Sequence, residues 1–374
     1  MPKPDPSKFF QRPTKRSLSK ARIVSKYFDA WCGVLHDTKR LAYRDLYSGR
    51  GQYIEGSVPS TPMQICNVLQ SRPETAAKMA LYFNEESKEL AADLEQLVTG
   101  HPVYGHLKTK PIFTSHSWND NQGALGGIRP TCPTLAFLDP FGYDGLSLNE
   151  IGNFIQPFGC DCIFLLNTGR LIGAIENPAA ENPIEFLFGG QRLPGIRKAV
   201  GQLRGRAREE ELVRQTRQAL KSLGSSDPPP FRFESDVSGR TSYHLFLVSK
   251  APKAGSIWKE VLAKEGTKVG RLVTLEQRNN PDQESLVFMD LLDELMDSLD
   301  NKFAGQTRHR LEINQTIAEA SSNWTLSDVR KALLQMERDG RVFIERPDTG
   351  PYSTAGADLP TQCRVTFCTV DEEA

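Results

Sequence analysis

Three acidic residues each follow a short apolar run that predicts a β-strand: Asp45, Glu85 and Asp139. Because parallel strands of a doubly wound sheet end at the same edge, we expect the three carboxylates to line one crevice there. A carboxylate at that edge could accept two hydrogen bonds from ribose hydroxyls, and charge-assisted bonds of this kind are strong. The pattern therefore predicts a site for a nucleotide-like cofactor.

A glycine turn follows the first of these acids, over residues 48–51. Glycine lacks a Cβ, so the backbone N–H groups of the turn could approach a carboxylate of the cofactor closely. Such turns are common, and this one gains meaning from the two acids that come later. The residues predicted to bind the cofactor here are Asp45, Ser48, Gly49, Gly51 and Glu85.

Two further candidates lie beyond the third predicted strand. Trp118 offers a stacking face for an adenine ring, and Asp120 or Ser117 offers a partner for its exocyclic amine. Each candidate has a structural alternative. A tryptophan more often packs against the core, and Glu85, which has Glu86 beside it, could simply be an acid favoured at a helix start.

The most specific element is the segment Asp139-Pro140-Phe141-Gly142-Tyr143. Proline fixes φ and removes a donor, so the turn is stiff. An aromatic ring there could stack on a planar acceptor, and the carbonyl of Asp139 or Pro140 could accept a hydrogen bond from an amine under attack. We therefore predict Asp139, Pro140, Phe141 and Tyr143 as catalytic residues, with an ordinary turn as the alternative.

The elements that must position these residues alternate between strands and helices. The strands are short continuous apolar runs, which is typical of a parallel sheet covered on both faces. A last hairpin is expected to close the sheet with an antiparallel edge. The predicted strands are Leu41–Tyr47, Met79–Asn84, Pro111–Ser115, Leu135–Leu138, Cys162–Leu166, Phe231–Ser235 and Tyr243–Val248.

Helical periodicity predicts the elements between them, and Ser147 with Glu150 predicts a capping box at the start of one helix. The predicted helices lie around Ile23–Leu35, Pro62–Leu69, Glu86–Val98, 206–222, Lys250–Lys268 and Gln283–Asn301.

The C-terminal part has a different pattern. Two helices, a turn and a two-stranded hairpin predict a winged helix-turn-helix, with Gly340 ending the second helix. Many such domains bind nucleic acid, and others mediate protein contacts or dimerise. The basic residues predicted to touch phosphate are Arg330, Lys331, Arg338, Arg341 and Arg346.

Composition sets the outer limits. The 374 residues carry 46 basic and 46 acidic side chains, so the overall charge of zero favours neither nucleic acid nor membrane. Local charge differs, with basic runs over 3–22 and 197–221 that suggest a phosphate-binding face or a solvated surface. Seven scattered cysteines contain no Cys-x-x-Cys motif, so we expect neither a metal site nor a disulfide scaffold.

The expected organisation has four parts: a basic flexible arm over 1–19, a Rossmann-like domain over 20–280, a linker helix over 281–304 and the winged helix over 305–374. The sequence has no run long and apolar enough to predict a membrane span, and no signal peptide. We therefore expect a reduced, cytoplasmic protein.

The chain resembles the three-Cys-motif partner protein family (TcmP), over most of residues 20–265. The resemblance is carried by Lys26–Trp31, by Tyr43–Tyr53 with Gly56 and Ser60–Pro62, and by Ala136–Tyr143, and it continues weakly through Ser242–Leu247 and Trp258. It implies a class I S-adenosylmethionine-dependent methyltransferase fold with a mixed seven-stranded sheet. It also implies S-adenosylmethionine (SAM) as cofactor and a three-Cys-motif protein as a possible partner.

Two departures from related patterns are visible. Where such proteins tend to read Asp-Leu-Phe-Ala-Gly-Pro-Gly, this chain reads Asp45-Leu46-Tyr47-Ser48-Gly49-Arg50-Gly51, and both glycines are kept. Methyltransferases that act on base amines typically carry Asp/Asn-Pro-Pro-Tyr/Phe, and here Phe141 replaces the second proline.

Three functions are compatible with these residues. The first is a methyltransferase acting on DNA or RNA, with the target base flipped onto Phe141 or Tyr143. The second is a non-catalytic nucleic-acid adaptor for a partner enzyme. The third is a dinucleotide oxidoreductase, for which the segment 139–143 has no evident role.

Overall fold

The computed structural model describes residues 10–118, 123–143, 145–234, 241–265, 270–272, 284–319, 324–347, 359–360 and 362–369. The chain divides into two compact units, Met1–Arg271 and Leu272–Ala374.

The first unit is built on a mixed sheet with the strand order β3-β2-β1-β4-β5-β7-β6-β8. Strands β1 to β5 run parallel to one another, and β7 lies antiparallel between β5 and β6. The strands are β1 Leu41–Asp45, β2 Met79–Asn84, β3 Ile112–Thr114, β4 Thr134–Leu138, β5 Asp161–Leu166, β6 Phe231–Glu234, β7 Thr241–Val248 and β8 Gly270–Leu272.

The first seven strands have the order of the Rossmann-like class I methyltransferase fold, so the predicted fold is confirmed for this unit. The predicted antiparallel closing hairpin is present as β6 and β7. The strand β8 at the edge of the sheet was not predicted.

Helices cover the sheet on both sides. They are α1 Lys15–Val34, α2 Thr61–Gln70, α3 Pro73–Ala76, α4 Lys88–Gly100, α5 Leu148–Phe154, α6 Thr168–Ala174, α7 Glu181–Phe188, α8 Leu193–Gly201, α9 Gly205–Ser222 and α10 Pro252–Glu265. The sequence did not predict α6, α7 and α8, because each spans only two turns or so and shows too short a stretch of helical periodicity.

The core forms where the central strands are covered on both faces. Every residue of β4 and β5 is buried, which explains why these strands read as continuous apolar runs. Phe164 of β5 stacks on Phe246 of β7 with ring centroids 5.0 Å apart, which fixes the antiparallel strand beside its neighbour.

The first helix begins earlier than the sequence indicated. The expectation of a flexible arm over 1–19 is wrong for its second half, because α1 starts at Lys15 with a capping box between Thr14 and Ser17. Phe10 is buried as well. Polar residues such as Lys20 face inward on α1, so its apolar periodicity is weak in this half.

The predicted capping box at residue 147 is also wrong. Ser147 is the N-cap of α5 but makes no side-chain capping bond. Glu150 instead lies against a loop that contains Gly123 and Gly126, where the backbone of Leu125 donates to its carboxylate. The two glycines leave the room that this carboxylate occupies, since a Cβ on Gly123 would collide with it.

In the described residues of the second unit, three helices accompany a three-stranded antiparallel sheet with the order β10-β11-β9. Its elements are α11 Glu284–Phe303, β9 Thr307–His309, α12 Arg310–Glu319, α13 Leu326–Arg338, β10 Val342–Glu345 and β11 Arg364–Phe367. A capping box joins Thr325 and Asp328 at the start of α13, and Gly340 adopts φ 72° just after it.

Helix α11 belongs to the core of this unit. Leu295, Leu299 and Phe303 are buried in one cluster with residues of α12, α13 and the sheet. The segment predicted as a linker helix over 281–304 is therefore largely an integral helix of the C-terminal unit.

Among the described residues, no helix is long and apolar enough to cross a membrane. The same part of the chain contains no group of three histidine, cysteine or acidic side chains that could hold a metal ion. All seven cysteines are free.

Candidate cofactor crevice

The crevice lies at the carboxyl ends of the parallel strands, where the strand order reverses between β1 and β4. Asp45 is the last residue of β1, Glu85 follows β2 directly, and Asp139 follows β4 directly. In the sheet register Asp45 pairs with Phe83 of β2 and Phe137 of β4, so the three acids sit at neighbouring strand ends. The structure thus brings together the acids that the sequence indicated, at the place where α/β sheets of this kind bind ligands.

Asn84, which the sequence did not single out, ties these strand ends together. Its buried amide donates to the carbonyls of Leu46 and His116, and its carbonyl oxygen accepts from the hydroxyl of Thr114 at 2.8 Å and from the N–H of His116 at 2.9 Å. Its backbone carbonyl accepts from Ser48. A buried amide with these partners fixes three strand ends relative to one another.

Asp45 is almost fully buried, with 1% of its surface exposed. Burial raises its pKa to about 8, and the negative charge of Asp139 acts in the same direction. The hydroxyl of Tyr43 donates to its carboxyl at 3.3 Å. Asp45 is therefore mostly protonated at neutral pH, because a second carboxylate nearby and the lack of water both disfavour its charge.

Asp139 forms an ion pair with Lys20 of α1. The Lys20 side chain is 9% exposed and that of Asp139 is 20% exposed. Burial alone would lower the pKa of Lys20, but the charge and hydrogen bond of Asp139, together with Tyr243 and Tyr53, more than offset this and the pKa is raised. Lys20 is a site residue that the sequence could not reveal, since 119 positions separate it from Asp139.

The glycine turn is tied to the second acid. The N–H of Gly49 donates to Glu85 at 2.9 Å, and the N–H of Ser87 donates to the other oxygen of this carboxylate at 3.0 Å. Burial raises the pKa of Glu85, while both N–H donors act against that shift. Ser48 turns towards β2, where its hydroxyl donates to the Asn84 carbonyl at 3.0 Å.

Phe10 covers the open side of Gly49. This glycine adopts φ +63°, and a Cβ built on it would lie 2.3 Å from the tip of the Phe10 ring. The Phe10 carbonyl accepts from Ile54, and its ring packs with Tyr53 and Leu90. Phe10 therefore lies on the turn predicted to receive the cofactor.

Gly51 has a different surrounding from the one predicted. It adopts φ +90°, and a Cβ there would lie 2.8 Å from Leu94 and 3.1 Å from Leu97 of α4. The absence of a side chain lets the loop pack closely on this helix, and a contact of Gly51 with a cofactor stays a prediction.

Trp118 lies beside the crevice, half buried against the core of the first unit. Its indole N–H donates to the carbonyl of Leu46 at 3.2 Å, and its Cβ lies close to Gly145, where a side chain would collide with it. Asp120, the predicted adenine partner, lies outside the described residues.

The segment after Asp139 presents one aromatic ring to solvent. Phe141 is 48% exposed, and its carbonyl accepts from the Arg170 guanidinium at 2.7 Å. Pro140 is buried, and Tyr143 is half buried against the core. Of the two aromatic candidates, Phe141 is the one whose ring is more available at the surface.

The predicted phosphate contacts fall into two groups. Arg341 pairs with Asp297 and Asp300, and Arg346 forms a two-bond pair with Glu337, so both serve contacts within the C-terminal unit. The other three lie on α13, where Lys331 and Arg338 are exposed and Arg330 is half buried.

The basic run over 197–221 is largely neutralised in the same way. Five of its arginines pair with acids on nearby helices and loops, so most of this positive charge is balanced within the unit. The pairs are Arg197–Glu181, Arg206–Glu210, Arg208–Glu176, Arg214–Glu211 and Arg217–Asp227.

The fold and the crevice together define an α/β protein with class I methyltransferase topology. No family model matches the chain, and no curated protein matches it. A protein from Legionella pneumophila of the family DUF519 is similar in structure, with a TM-score of 0.38 and 13% identity over 66% of this chain and 92% of its own.

Two methyltransferases are similar at the same distant level. The methyltransferase subunit of a type I restriction-modification system from Streptococcus thermophilus has a TM-score of 0.33 and 10% identity, covering 64% of this chain and 45% of its own. The plantazolicin methyltransferase BpumL in complex with SAH has a TM-score of 0.30 and 10% identity, covering 62% of this chain and 85% of its own. Similarity of this degree identifies no function.

Proposed function

We propose that the protein binds SAM in this crevice and transfers its methyl group to an acceptor held beside Asp139. The single observation that carries the proposal is the bond between the Gly49 N–H and Glu85, at the strand ends beside the point where the strand order reverses. A glycine turn and an acid at these positions are suited to a nucleoside with a charged tail.

The residues present fit such a cofactor. Gly49 carries no side chain and is covered by the Phe10 ring, and Glu85 is a half-buried carboxylate. Glu85 would accept the ribose hydroxyls with its remaining lone pairs, the glycine turn would face the amino-acid part, and Trp118 and Asp120 remain the proposed adenine neighbours. The cofactor supplies the reactive methyl group, and the protein's contribution is to orient the partners and exclude water.

The proposed acceptor is a base of DNA or RNA. The exposed ring of Phe141 could stack on a base that has left its helix, and the adjacent carboxylate of Asp139 could accept a hydrogen bond from the acceptor. The stiff backbone at Pro140 would keep the ring and the carboxylate in a constant relation. The same role for Tyr143 has less support, since its ring packs against the core.

We propose that the C-terminal unit is a winged helix that brings the substrate. Its order of helix, strand, two helices and two strands supports this assignment, with α13 as the helix that would approach nucleic acid. Lys331 and Arg338 on its surface are the best candidates for phosphate contacts. Membership of the TcmP family, with a three-Cys-motif protein as partner, is part of this proposal.

A non-catalytic adaptor is the second candidate, and two contacts favour it. Phe10 covers Gly49, and Lys20 pairs with the Asp139 carboxylate, so both halves of the crevice hold internal partners. An adaptor would use the C-terminal unit for binding and leave methyl transfer to its partner.

Calorimetry tests the cofactor site. Wild-type protein is titrated with SAM, with its demethylated product and with NAD, and Glu85→Gln is compared with Glu86→Gln. Glu86 is the matched control because its exposed carboxylate faces Ser117. Loss of charge-assisted bonds should weaken SAM binding by about 10- to 100-fold in Glu85→Gln alone. Equal affinities in both variants, or binding of NAD only, would refute the site.

A transfer assay tests the reaction. Tritiated SAM is incubated with sheared genomic DNA, total RNA and protein substrates, with Asp139→Asn as the variant. Label in a nucleic acid that disappears in Asp139→Asn supports the enzyme. SAM binding without transfer to any of these acceptors supports the adaptor.

A further inference from the structure

A lysine from the first helix reaches the acceptor end of the crevice. Lys20 lies in α1, and its ammonium group pairs with the Oδ2 atom of Asp139, immediately after β4. Its side chain is buried, with 9% of its surface exposed. A buried ammonium is costly to the fold unless it is paired, so this contact is specific.

The groups around this pair come from α1 itself and from three other parts of the fold. Asp139 acts by charge on Asp45 of β1, and Tyr243 on β7 and Tyr53 in the loop after β1 both act on Lys20. Tyr43 donates to Asp45, and Arg16 of α1 acts on Tyr243. Two carboxyl groups thus share one buried cation.

We infer that Lys20 is a positioning residue, which holds the Asp139 carboxylate ionised and in one orientation for the methyl acceptor. The inference rests on the proposed methyl transfer and adds a residue to it. Proline at 140 fixes the backbone that carries Asp139, and Lys20 fixes its side chain. The ion pair uses Oδ2, and the remaining 20% exposure of the Asp139 side chain leaves the carboxylate accessible to an acceptor.

The sharing of one cation by two carboxyls explains why Lys20 matters for the charge state. Like charges that lie close together cannot both ionise easily, so one carboxyl keeps its proton. Lys20 bonds directly to Asp139, and Asp45 lies deeper and keeps the proton. Without Lys20, the Asp139 carboxylate would lose both the adjacent positive charge that favours its ionised form and the contact that fixes its orientation.

The test compares Lys20→Met, Lys20→Arg and the control Lys26→Met. Lys26 also lies on α1 and forms an ion pair, with Glu265 at 2.5 Å, away from Asp139. Protein labelled with ¹³C at aspartate carboxyls is titrated by NMR, and the Asp139 signal is assigned by its loss in Asp139→Asn. The acid limb of methyl transfer from tritiated SAM to sheared DNA and total RNA is measured in parallel.

In Lys20→Met the Asp139 titration and the acid limb should both move up by about 1–3 pH units, the size expected for loss of an adjacent opposite charge. Lys20→Arg should restore both values, and Lys26→Met should leave both unchanged. A shift in neither measurement, or the same loss of transfer in Lys26→Met, would overturn the inference.

Two safeguards keep the test decisive. If Lys20→Met does not fold, Lys20→Gln replaces it in both measurements, and an Asp139 titration and an acid limb equal to those of the wild type then overturn the inference. If the wild-type protein binds SAM but transfers no label, the proposed function fails. The NMR titration still decides by itself whether Lys20 sets the ionisation of Asp139.

Discussion

The buried carboxyl of Asp45 should make the free energy of unfolding depend on pH, and the size of this effect follows from its burial in the structure. Its pKa rises from the ordinary value of 3.8 to about 8 on folding, first because of burial and then because of Asp139. The folded protein therefore binds a proton that the unfolded chain releases between these two values. Stability from this group is present at low pH and is lost as the pH rises towards 8.

The perturbation is Asp45→Asn, which keeps the shape and removes the titration. Each pH unit between the two pKa values corresponds to about 1.4 kcal/mol, so from about pH 5 to about pH 8 the variant should gain up to about 4 kcal/mol relative to wild type. The exposed carboxyl of Asp37 supplies the control, and Asp37→Asn should show no such pH-dependent gain.

The assay is urea unfolding followed by tryptophan fluorescence at several pH values. Three of the four tryptophans, Trp31, Trp118 and Trp258, lie in the first unit, so a Trp324→Phe background reports on that unit alone. If the difference in unfolding free energy between Asp45→Asn and wild type changes by less than about 1 kcal/mol across this pH range, the assignment of Asp45 as a protonated buried acid is refuted.

Three further predictions follow from single contacts. Phe10→Ala uncovers Gly49, so it should raise the affinity for SAM in calorimetry by roughly tenfold or more, because binding no longer displaces a buried ring. The control Val58→Ala in the same cluster should leave the affinity unchanged. Unchanged affinity in Phe10→Ala would contradict the idea that Phe10 and SAM occupy the same space. Gly51→Ala should lower the free energy of unfolding by about 1–3 kcal/mol, because the new Cβ would collide with Leu94 and the backbone has a positive φ. Gly33→Ala, in open space on α1, should raise the free energy of unfolding by up to about 1 kcal/mol. Equal effects of the two substitutions would argue against the packing role of Gly51. Arg346→Met should destabilise the C-terminal unit by about 1–3 kcal/mol, followed by Trp324 fluorescence, because it leaves the carboxylate of Glu337 without its two-bond partner. If the loss of stability is no greater than that caused by Arg308→Met at an exposed arginine, the Arg346–Glu337 pair is unimportant for stability.

Much of the fold could be predicted because its signals are local. The strand Met79–Asn84 was predicted with the observed bounds, and β4 and β5 were each found within one residue. A fully buried parallel strand must be apolar on both faces, so it reads as a short continuous run whatever lies around it. The helix at 168–174 was not predicted, because it starts at Asn167 as a cap and is too short to show helical periodicity.

The ends of the strands were predictable for the same reason, and the roles of their residues were only partly so. Asp45, Glu85 and Asp139 come together because parallel strands end at one edge. Gly51 looked like a second ligand-binding glycine, but which surface faces a glycine depends on the neighbouring helix, and here Leu94 and Leu97 occupy it. The spacing of residues along the chain does not show which helix packs against Gly51.

The sequence by itself determined a parallel sheet with three acids and a glycine turn at its carboxyl edge, because hydrophobic period and turn chemistry act over a few residues. Only the tertiary structure decided what those residues touch. Lys20 on Asp139, Phe10 on Gly49 and Glu337 on Arg346 are side-chain contacts made in three dimensions, and the first two join parts of the chain far apart in sequence. Such contacts depend on how elements pack, and packing sets the burial and the charge on which the chemistry of the crevice depends.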